Sequence, residues 1–222
     1  MSPKLVLITL FIASVSFCNA QETTHLLGDV NVQLKKKTLS ANYELTNITV
    51  NSPKMSFMLH EDFDLDQVYL NGDPIASSKN GKLCESCKVH TIWIDRALTP
   101  QDTVKITVEG SLENFSGKDV VNSSQSFEGG TASKWYPVIL DEKAKESDVP
   151  FALNTYAYTY DLNVKCGDCK TLHLDSLSSE NTIFHSDTPT SDIRLTLSTK
   201  KAEQQTNKKA VESIDTSITQ NK

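Results

Sequence analysis

The sequence predicts an all-β protein, an antiparallel β-sandwich with two packed sheets. Apolar and polar residues alternate with a period of two through most of the chain, as they do in half-buried strands. The strand-like segments are short and are separated by Gly, Asn, Asp, Pro and Ser, which is typical of hairpin-connected sheets. No amphipathic helix is evident before residue 200, so a fold of alternating βαβ units is disfavoured.

The individual strands follow from this alternation. Val30, Val32 and Leu34 lie on one face of the first segment, and every later segment repeats the pattern of apolar residues two apart. Asn71-Gly72 provides a tight turn after the fourth segment. In chain order the segments are 30–34, 39–45, 55–59, 68–70, 91–94, 104–108, 135–140, 156–164, 172–174 and 193–197.

The first twenty residues have the pattern of a secretion signal. Lys4 supplies a positive start, residues 5–17 are apolar, and Cys18-Asn19-Ala20 ends the stretch with small residues. The apolar stretch is shorter than the ~20 residues that a transmembrane helix needs. We therefore expect cleavage after Ala20 and a secreted or periplasmic protein that keeps no transmembrane segment. A lipoprotein signal acylated at Cys18 is the alternative, which the bulky Phe17 disfavours.

The chain changes character after residue 199. Residues 200–222 are polar, lack aromatic side chains and hold few large apolar ones. Such a segment cannot offset the entropy lost on ordering, so we expect a short disordered or weakly helical tail. The predicted organisation is a signal peptide over 1–20, one β-sandwich domain over 21–199 and a polar flexible tail over 200–222.

The charge balance limits the class of partner. The chain has 22 Lys and Arg against 28 Asp and Glu, a formal net charge of −6. Binding to nucleic acid or to anionic lipid needs a basic face. The run Lys35-Lys36-Lys37 is the only basic run before the tail, and a solvated strand face explains it. We therefore expect no nucleic-acid partner and predict a protein partner.

Four cysteines follow the leader in two C-x-x-C turns, Cys84 with Cys87 and Cys166 with Cys169. In an oxidising compartment they would form structural disulfides, within each turn or between the turns. A four-thiolate zinc site is the second interpretation, because each turn is followed by Lys as in zinc-ribbon knuckles, although the gap between the turns is much longer. Thioredoxin-like redox chemistry is the third, but neither turn opens an apparent helix. No other cofactor is expected.

No catalytic residue can be assigned from local patterns. His60-Glu61 starts like the zinc signature His-Glu-x-x-His, but the second histidine is missing. The acidic alternation at 62–66 is similar to a calcium loop, but Gln67 stands where such a loop needs Gly. A pair of carboxylates that acts on glycans is an alternative, because the fold brings such a pair together without a local spacing.

Five aromatic residues form the candidate binding surface: Trp135, Tyr136, Tyr156, Tyr158 and Tyr160. The three tyrosines alternate along one face of a strand. Trp and Tyr combine a large apolar area with a polar group. A cluster that closes the core of the sandwich and an exposed platform for a ligand both fit this composition.

Two short motifs stand out, Trp135-Tyr136-Pro137 and Val108-Glu109-Gly110. The first is similar to the Trp-Tyr-Pro of the N-terminal β-sandwich domain of the aminopeptidase-N-like (gluzincin) metallopeptidases. The second stands where that domain has a Tyr-x-Gly-like corner, without the tyrosine. The resemblance covers residues 25–199. Its other segments are 57–65, 68–72, 92–98, 104–112 and 160–164.

This resemblance implies the fold rather than the peptidase activity. In that family the zinc signature and the catalytic base lie in a helical domain after the β-domain, whereas here a polar tail follows. We therefore expect a secreted, non-catalytic binding or assembly module. The alternatives are a secreted enzyme with a carboxylate site for glycans, and a thiol- or zinc-binding protein that uses its C-x-x-C turns.

Overall fold

The computed structural model describes residues 23–48, 50, 52–80, 86–116, 120–140, 156–175, 177–178 and 182–200. The predicted signal peptide, Cys84 and residues 201–222 of the predicted tail lie outside these ranges. Within the described ranges, no helix has the length and apolar character of a membrane span. The described elements are strands and two short 3-10 turns, Leu34–Lys36 and Thr131–Ser133. The strands are β1 (Thr24–Gln33), β2 (Thr38–Thr46), β3 (Lys54–His60), β4 (Phe63–Leu70), β5 (Asp73–Ile75), β6 (Ser77–Asn80), β7 (Cys87–Trp93), β8 (Val104–Ser111), β9 (Val121–Asn122), β10 (Ser126–Gly129), β11 (Val138–Ile139), β12 (Tyr158–Cys166), β13 (Thr171–Leu174), β14 (Leu177–Ser178), β15 (Ile183–Thr190) and β16 (Leu195–Ser198).

The described strands form three sheets. The large sheet has seven strands in the order β15-β12-β1-β2-β8-β4-β5. A four-stranded sheet has the order β11-β3-β7-β6, and a five-stranded sheet has the order β14-β13-β16-β10-β9. The predicted all-β class is confirmed. Three sheets stand in place of the two that were predicted, because the strands of the two smaller sheets share no ladder.

One pairing in the large sheet departs from the antiparallel prediction. β1 runs parallel to β12, from Thr24 opposite Tyr158 to Val32 opposite Cys166. Parallel neighbours need a long crossover connection. Here the chain between the two strands passes through both smaller sheets. Alternation within a strand does not report the direction of a neighbour that is distant in sequence.

The core lies against one face of the large sheet. Every second residue of β2 is buried, from Leu39 to Leu45, and β12 follows the same rule from Tyr158 to Val164. In the four-stranded sheet, all residues of β3 after Lys54 are buried, so this strand is covered on both faces. The buried apolar residues of all three sheets belong to one hydrophobic cluster.

The segment 135–140 is only partly a strand. Lys134 has a left-handed φ of 51°, and β11 is limited to Val138–Ile139. Pro137 has no N–H to donate to a ladder. The adjacent side chains of Trp135 and Tyr136 are both buried, which strand alternation on a half-buried sheet would not allow. The predicted strand is therefore wrong for the first half of this segment.

Candidate functional site

The large sheet leaves one side exposed to solvent, which we call the open face. It consists of the side chains that alternate with the buried ones along the central strands. An open groove of about 640 Å³ crosses it, and a second groove of about 400 Å³ adjoins the first. The exposed residues that line the two grooves are polar or charged: Asp29, Asn31, Gln33, Thr38, Ser40, Asn42, Asp64, Asp66, Glu109 and Lys165.

Two carboxylates lie directly opposite each other on this face. The register of β4 and β8 places Asp64 opposite Glu109, and both line the smaller groove. Asp66 lies at an irregularity of the same ladder and lines the larger groove with Glu109. Among the described residues, none of these three side chains forms an ion pair. Like charges directly opposite each other destabilise a sheet, so the stability of the fold does not explain this arrangement.

Hydrogen bonds between side chains order the rest of the open face. Asn163 Nδ2 donates to Asp29 Oδ1 at 2.8 Å, and Thr182 Oγ1 donates to Asn163 Oδ1 at 2.9 Å. Thr107 Oγ1 donates to Asn42 Oδ1 at 2.9 Å. Two of these bonds join neighbouring strands, and the bond from Thr182 ties β12 to the residue before β15, so polar groups of the face are held in place before any ligand binds.

A histidine–carboxylate network lies at the β15 end of the open face. The two oxygens of Asp161 contact His25 Nε2 at 3.2 Å and His185 Nδ1 at 2.6 Å. His185 Nε2 lies 3.0 Å from Asp187. The hydrogen bonds to Asp187 and Asp161 raise the pKa of His185 above its ordinary value. Positive charge therefore accumulates at this end of the face as the pH falls.

The structure joins Cys166 and Cys169 in a disulfide within one turn, with a Cα–Cα distance of 5.4 Å. This geometry supports the predicted disulfide within the turn for this pair. Cys87 is also disulfide-bonded and fully buried. Within the described ranges, the one group with metal-ligand geometry is Cys166, Asp168 and Cys169. Its sulfurs are bonded to each other, so zinc binding there would require the reduced protein.

Asp168 fastens the cysteine turn to the large sheet. Its carboxylate accepts the backbone N–H groups of Leu34 at 3.0 Å and Lys35 at 2.7 Å, in the 3-10 turn between β1 and β2. Partial burial raises the pKa of Asp168, but the hydrogen bonds from the N–H groups of Lys35 and Leu34 outweigh it, so the pKa is lowered. The turn is therefore held by charge-assisted hydrogen bonds in addition to the disulfide.

The predicted aromatic binding surface lies in the core. Trp135, Tyr136, Tyr158 and Tyr160 are fully buried, and Tyr156 is half-buried. Their polar atoms are satisfied internally: Trp135 Nε1 donates to the carbonyl oxygen of Ile193 at 3.0 Å, and the Tyr160 hydroxyl donates to the Asp175 carboxylate. The interpretation as a core cluster is correct, and the interpretation as an exposed platform is wrong for the four buried residues.

His60, which starts the incomplete zinc signature, is a core residue. It lies in β3, its side chain is 1% exposed, and its ring stacks on Phe115 with a centroid distance of 3.7 Å. Nδ1 accepts the backbone N–H of Asp62 at 3.2 Å, and within the described part of the chain Nε2 has no hydrogen-bond partner. Burial lowers the pKa of His60 to about 4, so the imidazole is neutral at pH 7.

Comparison with known proteins supports the fold. No protein-family model and no curated protein matches the chain. The chain is similar to the crystal structure of an M1 zinc metallopeptidase from Deinococcus radiodurans, with a TM-score of 0.53 and 14% identity, over 80% of this chain and 42% of that chain. It is also similar to a mutant two-domain M1 zinc metallopeptidase bound to L-tryptophan, with a TM-score of 0.50 and 14% identity over the same shares. The predicted resemblance to aminopeptidase-N-like metallopeptidases is confirmed as a likeness of fold, and the chain spans less than half the length of these structures.

Proposed function

We propose that the protein is an exported, non-catalytic β-sandwich module that binds a protein partner with a basic surface through its open face. The observation that carries this proposal is the pair of Asp64 and Glu109, opposite each other in an open groove and without ion-pair partners among the described residues. Their repulsion destabilises the free protein. A Lys or Arg side chain of a partner, placed between the two carboxylates, would remove this repulsion.

The energy available from such a contact is sufficient for recognition. One exposed pair of opposite charges at 4 Å contributes about 1 kcal/mol in water, so a cation that meets both carboxylates gains about 2 kcal/mol. A gain of 1.4 kcal/mol changes a dissociation constant about tenfold. Asp29 and Asp66 line the larger groove and extend the acidic surface. Added salt should weaken the binding, because exposed charges are screened beyond about 8 Å at physiological ionic strength.

The chemistry of the described side chains supports a non-catalytic role. The one described group with metal-ligand geometry is closed by a disulfide, and His60 is buried in the core. The likeness to M1 metallopeptidases concerns the fold and covers 42% of that chain. We expect no hydrolysis of aminoacyl or peptidyl reporter substrates by the purified protein. Hydrolysis that a chelator abolishes would contradict this part of the proposal.

Two observations support export. Residues 1–20 have the charge and apolar pattern of a signal peptide. Cys87, Cys166 and Cys169 are disulfide-bonded, and disulfides persist in oxidising compartments. The intact mass of the protein recovered outside the cytosol should correspond to cleavage after Ala20. A protein that keeps its leader and remains in the cytosol would contradict export.

The same two carboxylates favour a second candidate function, glycan hydrolysis. Glycosidases use two carboxyl groups about 5 to 9.5 Å apart on either side of the scissile bond. Asp64 and Glu109 face each other across neighbouring strands in an open groove. A screen of sugar substrates tests this candidate. Turnover by the wild type that is lost in Asp64→Asn and in Glu109→Gln would show that the protein is an enzyme rather than a binding module.

Binding of a fluorescently labelled lysine-rich peptide tests the open face. We expect the double variant Asp64→Lys, Glu109→Lys to weaken binding at least about tenfold, measured by fluorescence anisotropy at low salt. The matched control, Asp73→Lys with Asp95→Lys, makes the same change in net charge at exposed positions off the open face. It should retain the affinity within about threefold. Equal losses in the two double variants would show that only net charge matters and would contradict the proposal.

A further inference from the structure

Cys87 and the pair Cys166–Cys169 have different surroundings. Cys87 is 0% exposed, and its sulfur lies 3.8 Å from the thioether sulfur of Met58. Cys166 and Cys169 are half-buried, with the exposed Gly167 between them. A nucleophile can therefore reach the second disulfide from solvent. Direct attack on Cys87 is blocked by its burial, and attack on its partner would expel the buried Cys87 sulfur as a thiolate, which an apolar site disfavours.

The surroundings of the 166–169 disulfide hold one carboxylate and several lysines. The carboxylate of Asp168 lies 3.3 Å from the sulfur of Cys166, and it also accepts the N–H groups of Leu34 and Lys35. Lys165 and Lys170 flank the turn in sequence, and both are exposed. The contact between Asp168 and the 3-10 turn brings in two more exposed lysines, Lys35 and Lys36. Reactive cysteines occur in such electropositive and partly exposed surroundings, because positive charge stabilises the thiolates that form during the reaction.

Hydrogen bonds hold this turn independently of the disulfide. The N–H of Cys169 donates to the carbonyl oxygen of Cys166 at 3.4 Å, and the N–H of Lys170 donates to the carbonyl oxygen of Ser198 at 2.7 Å. The contacts of Asp168 with the 3-10 turn add a third attachment. The two sulfurs would therefore stay close together after reduction, which favours a reversible reaction.

We propose that the turn 166–169 is a site of thiol–disulfide exchange that takes a dithiol as its reaction partner. A thiolate of the dithiol attacks one sulfur of the pair, the bond between Cys166 and Cys169 breaks, and the expelled thiolate takes a proton. The second thiol of the dithiol then attacks the mixed disulfide and releases the other cysteine. Two electrons pass from the dithiol to the cysteine pair, and the dithiol becomes a disulfide. This activity does not depend on the proposed role of the open face.

Limited reduction of the folded protein with dithiothreitol tests the proposal. Samples are quenched with an alkylating agent, and mass spectrometry of peptides measures the opening of each pair. We expect the 166–169 pair to open at least about tenfold faster than the disulfide of Cys87. In urea the two rates should converge, because both disulfides are then fully accessible to the reductant. Equal rates in the folded protein, or faster opening at Cys87, would overturn the proposal.

A charge-selective measurement tests the contribution of the lysines. Glutathione carries extra negative charge near its thiol, whereas cysteamine carries a positive amine. The double variant Lys35→Glu, Lys170→Glu changes only exposed side chains, and it should lower the ratio of the glutathione rate to the cysteamine rate about threefold or more at low salt. An unchanged ratio would contradict the role assigned to the basic surroundings, and with it the exchange site.

Discussion

Acidification should destabilise the protein through His60. The side chain is 1% exposed and packs against Phe115. Burial lowers its pKa in the native state to about 4, whereas the unfolded chain keeps a value near 6.5. Between these values the unfolded state binds a proton that the native state excludes. The contribution of His60 is therefore fully present above pH 6.5 and is lost as the pH falls towards 4.

The expected loss is large for a single domain. At 1.36 kcal/mol per pKa unit, the difference between 6.5 and about 4 corresponds to about 3 kcal/mol of unfolding free energy. Typical domains have only about 5 to 15 kcal/mol in total. His185 acts in the opposite direction, because its pKa is raised and its contribution is lost as the pH rises, but it lies on the exposed edge of the large sheet.

Urea unfolding of the oxidised protein at pH 7.0, 6.0, 5.0 and 4.5 measures this loss. The variant His60→Gln is the control, because an amide does not titrate in this range and its oxygen can still accept the N–H of Asp62. Subtracting the unfolding free energy of the variant from that of the wild type at each pH removes the contribution of every other titratable group. We expect the wild type to lose about 2 to 3 kcal/mol relative to the variant between pH 7.0 and 4.5. Parallel pH profiles would refute the assignment of a buried, neutral His60.

Three further substitutions, one of them a control, test the packing of the sandwich. A Cβ at Gly110 would lie 2.2 Å from a backbone carbonyl oxygen, so Gly110→Ala should cost about 1 to 3 kcal/mol, whereas Gly167→Ala meets no atom within 4 Å and should have little effect. Tyr43→Phe leaves the carbonyl oxygen of Trp135 without the buried hydroxyl that donates to it at 2.8 Å, so we expect a loss of about 1 to 3 kcal/mol. The losses in Gly110→Ala and Tyr43→Phe should appear as lower urea midpoints at an unchanged m-value. An equal loss in Gly167→Ala and Gly110→Ala would contradict the clash assigned to Gly110.

Strands with one buried face could be predicted from the sequence. β2 and β12 show clear alternation, and both were found close to their observed bounds. β15 was missed, because it lies at an edge of the large sheet, most of its residues are exposed, and Pro189 interrupts its pattern. The division into three sheets was also missed, since it depends on which strands share a ladder rather than on any local pattern.

The candidate site could be predicted only in part. The cysteine turns were visible as motifs, but their different burial depends on tertiary structure. The alternation of Tyr158 and Tyr160 placed them correctly on one side of a strand, without showing that this side faces the core. Asp64 and Glu109 each look like solvated strand residues in the sequence. Their opposition follows from the register of β4 and β8, including an irregularity between Leu65 and Gln67, which no local spacing encodes.

The most direct test of the central claim is a map of the binding surface by amide chemical shifts. The unlabelled lysine-rich peptide is added to the isotopically labelled protein at low salt. We predict that the largest shift changes fall on β4, β8 and β2 around Asp64, Glu109 and Ser40, and that they disappear at high salt. Changes spread over the whole surface, or concentrated on the two smaller sheets, would contradict the open face as the site of recognition.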